Sequence, residues 1–242
     1  MQAIILSGGL GTRLKTVVNL QPKTLAPVAG KPFLYWLITH LQKNNITDFI
    51  FSLGYLHEQV ELFLKNEFPT LNYITVIEKE PMGTGGAIKL CLPFCKYDEI
   101  LLVNGDTFFD LNIQDFQTNF LSSKADCSIA LTPMQNFNRY GAVTINADNV
   151  ITEFNEKKYC DFGLINTGMV LFTRTVFENK IKNLPPKFSF EKDFIESNIL
   201  ILKITGYISS GYFIDIGIPD DYKKAQLEIE TLFSSDRYSN IF

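Results

Sequence analysis

The sequence predicts an α/β fold, a mostly parallel mixed sheet flanked by helices in a single domain. Three observations predict it. Short apolar segments alternate with amphipathic ones through the first half of the chain, the pattern of parallel strands buried on both faces. Three glycines follow the first of those segments in "LSGGLGTRL" (6–14), where a strand would hand over to a ligand-binding loop. Past about residue 125 the rhythm changes to strands joined by turns.

Taken in order, "AIILS" (3–7) is the first strand, and "PFLYWLITHLQKNN" (32–45) carries Phe33, Trp36, Leu37 and Leu41 at helical spacing. "DFIFSLG" (48–54) is a strand, "HEQVELFLKNEF" (57–68) an amphipathic helix and "YITVIE" (73–78) another strand. A helix opens near Thr84, and "DEILLVNGD" (98–106) is an apolar strand with a polar tip. The strand ends would gather the glycine loop and "NGD" on one edge of the sheet. "CSIALTPM", "GAVTINADNVITEFNEK" and "FGLINTGMVLFT" then read as strands, with Ala147-Asp148-Asn149 as a hairpin tip. Helical stretches at 174–183 and 189–199 flank Pro185-Pro186. Strands at 201–208 and 211–216 precede a helix over 219–233 with Pro219 in its first turn. No internal repeat or low-complexity linker interrupts the chain.

Composition narrows the function. A chain of 242 residues that is 46% hydrophobic, with 21 Phe, suits one substantial core. A net charge of −4 argues against non-specific nucleic-acid binding, which needs a basic field. No apolar run reaches the roughly 18 residues of a membrane span, and "MQAIILSGG" reads as strand rather than signal peptide. Cys91, Cys95, Cys127 and Cys160 lack C-x-x-C spacing and fit reduced thiols in a cytoplasmic protein. His40 and His57 belong to no metal-binding spacing, and no Ser-His-Asp or Cys-His set is evident.

The glycine loop excludes two machines. A dinucleotide loop needs a third glycine where Leu14 stands, and a Walker A loop needs Gly-Lys-Ser/Thr. In their place stand Thr12-Arg13 and then Pro22-Lys23. Backbone N–H groups at Gly8, Gly9 and Gly11 can turn toward phosphate oxygens while the two cations neutralise charge.

"GGLGTRL" with "PKTLAPVAGKP" resembles the sugar-phosphate nucleotidyltransferases, and the likeness continues in family order through "EPMGTGGA", "LLVNGDTFF", "FNEK", "NTGMVLF" and "FIDIGIPDDY". Thr24 departs from the proline often found after the lysine. The resemblance implies a Rossmann-like, GT-A-like fold, with a nucleotide-binding half (about 1–125) and a sugar-phosphate-binding half (about 126–242). It implies transfer of a nucleoside monophosphate to a sugar 1-phosphate with loss of pyrophosphate. Arg13 would stabilise the departing phosphates and Lys23 the α-phosphate under attack, such displacement needing positioning and charge neutralisation above all. Leu6, Gly8, Gly9, Gly11, Thr12, Gly83, Thr84 and Asn104 fall where the family binds nucleotide. Asp106 and Asp215 match the positions that hold Mg²⁺, which accepts few carboxylates when phosphate oxygens and waters complete its shell. Tyr140, Gly141, Glu156, Lys157, Asn166, Thr167 and Lys192 fall on the sugar-phosphate side. A homo-oligomer is compatible with the resemblance.

Two rival classes are weaker. A nucleotide-sugar glycosyltransferase would carry Asp-x-Asp where the chain has Asp106-Thr107-Phe108, and a non-catalytic nucleotide-sugar sensor would be expected to lose cations or carboxylates that are present here. For the base, pyrimidine-reading relatives tend to place a glutamine before the Pro-x-Gly turn, where this chain has Glu78-Lys79-Glu80. Guanine presents two adjacent donors that one carboxylate can accept together, so Glu78 or Glu80 reading GTP is expected. Whole-sequence likeness points to the guanylyl branch acting on a manno-heptose 1-phosphate for a bacterial surface polysaccharide. Mannose 1-phosphate, uridylyl or thymidylyl specificity is the rival.

Overall fold

The computed structural model describes residues 1–9, 21–155 and 159–234. Strand β1 (Gln2–Ser7) is followed by a small hairpin, β2 (Pro27–Val28) and β3 (Lys31–Pro32), and then by helix α1 (Phe33–Lys43). Strand β4 (Asp48–Leu53), helix α2 (His57–Glu67), strand β5 (Asn72–Ile77), helix α3 (Gly83–Cys91) and strand β6 (Glu99–Asn104) continue the winding. Next come β7 (Thr107–Phe109), helix α4 (Ile113–Ser123), β8 (Cys127–Phe137), β9 (Ala142–Ile145), β10 (Ile151–Phe154) and β11 (Cys160–Thr173). Helix α5 (Arg174–Ile181), a π-helical segment (Phe190–Glu196), β12 (Ile204–Ile208), β13 (Phe213–Asp215) and helix α6 (Pro219–Phe233) follow.

The nine-stranded sheet runs β5-β4-β1-β6-β11-β8-β12, with the β9–β10 hairpin joined to the first half of β11. β1, β4, β5 and β6 are parallel to one another, whereas β11 runs antiparallel to both β6 and β8. Alternation along β1 assigns the two faces: Ala3 and Ile5 join the core under α1, α2, α4 and α6, and Ile4 joins the core under α3, α5 and the π-helical segment. α1 forms because Phe33, Leu34, Trp36, Leu37, Ile38 and Leu41 bury one broad stripe, and it ends as Asn45 takes a left-handed φ of 59°.

Three details depart from the sequence expectation. The strand predicted over 211–216 does not join the main sheet, since β13 pairs antiparallel with β7 in a separate two-stranded ribbon. The second predicted helical stretch is π-helical at Phe190–Glu196, a wider turn in which Phe190 and Phe194 stack 5.2 Å apart. Helix α4 was not anticipated, although Asn112 caps it by accepting from the Gln114 and Asp115 amides and Ile113, Phe116 and Phe120 mark its buried face.

Candidate active site

The chain leaves β1 for β4 and β5 on one side, then returns to place β6 on the other. The carboxyl ends of β1 and β6 therefore form the topological switch point, where open α/β sheets bind ligands. Leu6 lies in register with Asn104 there, and its carbonyl accepts from the Gly105 amide at 2.9 Å. Gly8 and Gly9 leave β1 at this edge, and Asp106 leaves β6 beside them.

Three charged groups from distant parts of the chain meet at the tip of β6. Lys23 sits in a one-turn 3-10 helix (Lys23–Leu25) anchored by the buried Thr24 and Leu25. Its Nζ lies 2.5 Å from Asp106 Oδ2 and 3.5 Å from Asp215 Oδ1. Asp215 arrives there because β13 pairs with β7, setting Asp215 opposite Thr107, and because the Ile216 amide donates to the Asp106 carbonyl at 3.1 Å. The Gly217 amide then donates to Asp215 Oδ1 at 2.7 Å and fixes the carboxylate. A Cβ on Gly217 would lie 2.8 Å from both Asp215 Oδ1 and Lys23 Nζ, so a side chain there would force one of them to shift.

Two carboxylates that already converge on one ammonium are aimed at a common cation, which suits Mg²⁺. Among the described residues no group of three or more His, Cys, Asp or Glu could hold a metal. Asp106 and Asp215 alone are few ligands for a metal, and a hard ion between them would need phosphate oxygens and water to complete its shell.

At the end of β5 the Glu78 carboxylate is pinned from two sides. Ser52 Oγ donates to Oε1 at 3.2 Å and the Met82 amide donates to Oε2 at 3.1 Å. The carboxylate lies directly against the glycine loop: a Cβ at Gly8 would stand 2.3 Å from Glu78 Oε1. Glu80 is exposed two residues farther along, so of the two glutamates Glu78 is the one against the loop.

Gly83 and Thr84 open α3 beside the π-helical segment. Gly83 lies against the Phe188 backbone, and Thr84 Oγ1 donates to Glu191 Oε2 at 2.7 Å while accepting from the Phe190 amide at 2.9 Å. The Thr84 hydroxyl thereby staples α3 to the π-helical segment. Lys192, in that segment, is exposed and donates its amide to Ser189 Oγ at 3.2 Å.

On the other side of β6, β11 shifts register between Asn166 and Val170. Gly168 takes a φ of +82° in this bulge, and its amide donates to Asn166 Oδ1 at 2.9 Å. The backbone passes so close to Asn104 that a Cβ at Gly168 would lie 2.6 Å from Asn104 Nδ2. Asn104 and Asn166 therefore both lie against Gly168 at the bulge. Thr167 is a correction to the sequence reading: its side chain is fully buried and its hydroxyl donates to the Ala130 carbonyl at 2.9 Å, facing the core rather than a sugar.

Tyr140 packs edge-on against Phe213 at 5.7 Å, two residues before Asp215. Burial pushes its phenol above the ordinary range and the charge of Asp215 adds to this, so the hydroxyl stays protonated. Arg139 lies over the Tyr140 ring at 5.3 Å and pairs with Asp221 at 2.5 Å, tying this loop to the first turn of α6. Gly141 packs on the backbone of Asn155. The remaining expected residues, Gly11, Thr12, Arg13, Glu156 and Lys157, lie outside the described residues.

Sequence reasoning missed Ser52, Arg139, Asp221 and Gly217. For Ser52 a signal existed, a lone hydroxyl within the otherwise apolar run "FIFSL". Gly217 and Asp221 sat inside "FIDIGIPDDY" without an assigned role, and Arg139 lay outside every motif.

Comparisons with known proteins agree with this geometry. A family model described as nucleotidyl transferase matches residues 2–231. A D-glycero-alpha-D-manno-heptose 1-phosphate guanylyltransferase of Aneurinibacillus thermoaerophilus is 44% identical over 95% of this chain and 99% of its own. A protein of the same name from Campylobacter jejuni is 42% identical over 92% of this chain and 97% of its own. The crystal structure of HddC from Yersinia pseudotuberculosis superposes with a TM-score of 0.84 at 34% identity, covering 96% of this chain and 99% of that one. A second structure of HddC, complexed with GMP-PN, gives a TM-score of 0.83 at 34% identity over 93% and 97% of the two chains. With the loop, the charged cluster and a match over nearly its whole length, the chain belongs to the nucleotidyl transferase family.

Proposed function

We propose that this enzyme transfers GMP from GTP to D-glycero-alpha-D-manno-heptose 1-phosphate, releasing pyrophosphate and forming GDP-heptose for a bacterial surface polysaccharide. The observation that carries the reaction is the convergence of Lys23, Asp106 and Asp215 at the switch point. The relatives at 44% and 42% identity support heptose 1-phosphate and guanylyl transfer, and the HddC complex with GMP-PN supports a guanine nucleotide. A cytoplasmic location is supported by four free cysteines, three of them buried.

In this reading an oxygen of the sugar 1-phosphate attacks the α-phosphorus of GTP. The bond from that phosphorus to the bridging oxygen breaks, and pyrophosphate leaves with the electron pair. Lys23 reaches the α-phosphate from the tip of β6 and offsets the charge that builds during attack. Arg13 serves the leaving phosphates, and the amides of Gly8 and Gly9 hold the triphosphate. Asp106 and Asp215 would hold Mg²⁺, which when bound neutralises phosphate oxygens. Glu78 accepts from guanine N1–H and the N2 amine. Asn104 stays with the nucleotide, while Asn166 and the Tyr140–Gly141 loop serve the sugar-phosphate side, with Glu156 and Lys157 contributing a hydroxyl contact and a phosphate contact.

The test is a matrix of the four common triphosphates against heptose and hexose 1-phosphates, read as pyrophosphate release. GTP with the heptose substrate is expected to give the highest kcat/KM. A preference for UTP or dTTP overturns the guanine assignment, and a preference for a hexose 1-phosphate overturns the heptose assignment.

A further inference from the structure

We propose that Ser52 is a specificity-determining positioning residue, whose hydroxyl, together with the Met82 amide, fixes the Glu78 carboxylate in an orientation that leaves each oxygen one free lone pair for the two adjacent donors of guanine. The inference rests on the reading of Glu78 as the residue that meets the base. An ionised carboxylate offers about four acceptor positions. Ser52 Oγ at 3.2 Å takes one on Oε1, and the Met82 amide at 3.1 Å takes one on Oε2. Among the described residues the protein thus uses one acceptor position on each oxygen, and one on each remains. Guanine N1–H and the N2 amine form a matching pair of parallel donors.

The surroundings make this clamp rigid. Ser52 is fully buried on β4, in register with Leu6 of β1 and Val76 of β5, so its position is set by the centre of the sheet. Near it stands Cys91, whose thiol burial pushes up to about 12, so it stays neutral and adds no negative charge beside Glu78. The Met82 amide belongs to the residue before α3, and the positive end of that helix favours a carboxylate. Gly8 supplies the space, since any side chain there would occupy the position of Oε1.

A purely structural reading competes: Glu78 could serve only to cap α3, with Ser52 helping it. The two readings separate on inosine triphosphate, which keeps N1–H and lacks the N2 amine. Dissociation constants for GTP and ITP are measured by calorimetry with the wild type, Ser52→Ala and Ser52→Thr, alongside the thermal midpoint of each. We expect the wild type to bind GTP at least about tenfold more tightly than ITP, the worth of one hydrogen bond to a charged group. Ser52→Ala should lose most of that ratio by weakening GTP, with ITP changed less than threefold or so, on the order of one neutral contact. Ser52→Thr, which keeps the hydroxyl, should restore the ratio. If the wild type discriminates but Ser52→Ala keeps the same ratio, whatever its thermal midpoint, the role of Ser52 is overturned and Glu78 stands. If the wild type binds both nucleotides equally, the base assignment of Glu78 fails and takes this proposal with it.

Discussion

Lys23 and Asp106 stand 83 positions apart in the chain, yet their charged atoms lie 2.5 Å apart, and the same ammonium faces Asp215 at 3.5 Å. Lys23→Met leaves two carboxylates facing each other with no cation between them. Turnover, read as pyrophosphate release, is expected to fall by about 100-fold or more, the usual effect of losing one preorganised charge-stabilising donor. Because Asp106 is well exposed, screening limits the stability loss to about 1 kcal/mol, measurable by denaturant unfolding. Wild-type turnover in this variant would remove Lys23 from the reaction.

Gly217→Ala tests the closure of the same cluster without changing any charge. The added methyl meets Asp215 Oδ1 and Lys23 Nζ together, so one of them must move. A displacement near 1 Å at reacting groups costs on the order of 100-fold in rate. Steady-state kinetics should show kcat reduced with the fold retained by circular dichroism. Unchanged kcat would mean that the cluster has slack.

Gly8→Ala should weaken GTP binding by expelling the Glu78 carboxylate, whose Oε1 lies where the methyl would go. The loss is expected to be about tenfold or more, one charged hydrogen bond. In a Glu78→Ala background the same substitution has nothing to expel and should add little. This double-mutant cycle, run on nucleotide dissociation constants, gives a clear coupling if the two residues share one space. Simple additivity would separate them.

Arg139→Ala and Asp221→Asn each cut the pair that ties the Tyr140 loop to α6. Both should raise KM for the sugar 1-phosphate several-fold, on the scale of about 1 kcal/mol for a partly exposed ion pair, while leaving nucleotide affinity alone. The double variant should be little worse than either single one. Equal losses for both substrates would point to a general disturbance of the site.

Asp48 provides a pH test remote from the chemistry. The Lys96 ammonium, bonded at 2.7 Å, holds its carboxyl below the ordinary value of 3.8, with Thr47 assisting and burial opposing. A depressed pKa in the fold means stability that is present above about pH 4 and lost as pH falls from there through the folded-state value. Asp48→Asn removes that linkage, so its unfolding free energy should fall less steeply than the wild type's between about pH 4 and pH 3. Parallel curves for the two proteins would contradict the assignment.

Much of this architecture was legible because the physics is local. The apolar runs of β1, β4 and β6 and the stripe of α1 announce themselves by period, and the observed bounds lie within about two residues of those expected. Asp106 and Asp215 could be named from motif context. Their meeting through Lys23 could not be foreseen, since it depends on β13 leaving the main sheet to pair with β7. Thr167 was misjudged for a related reason: the bulge at Asn166–Val170 changes which way side chains point, and a one-residue shift turns a strand's faces over. The Ser52–Glu78 contact joins neighbouring strands across 26 positions, a pairing that only the sheet order discloses.

The ribbon of β7 and β13 has a consequence for how activity arises during synthesis. The four parallel strands β1, β4, β5 and β6 are complete once residue 104 has been made, and Asp106 follows two residues later to meet Lys23. Asp215 belongs to a segment made long afterwards, and it has no place until β7 accepts β13. A ribosome-bound chain stalled before β13 therefore carries the parallel strands and only one of its two carboxylates at the cluster. Chemistry begins only when the later half of the chain comes back to close on the earlier one.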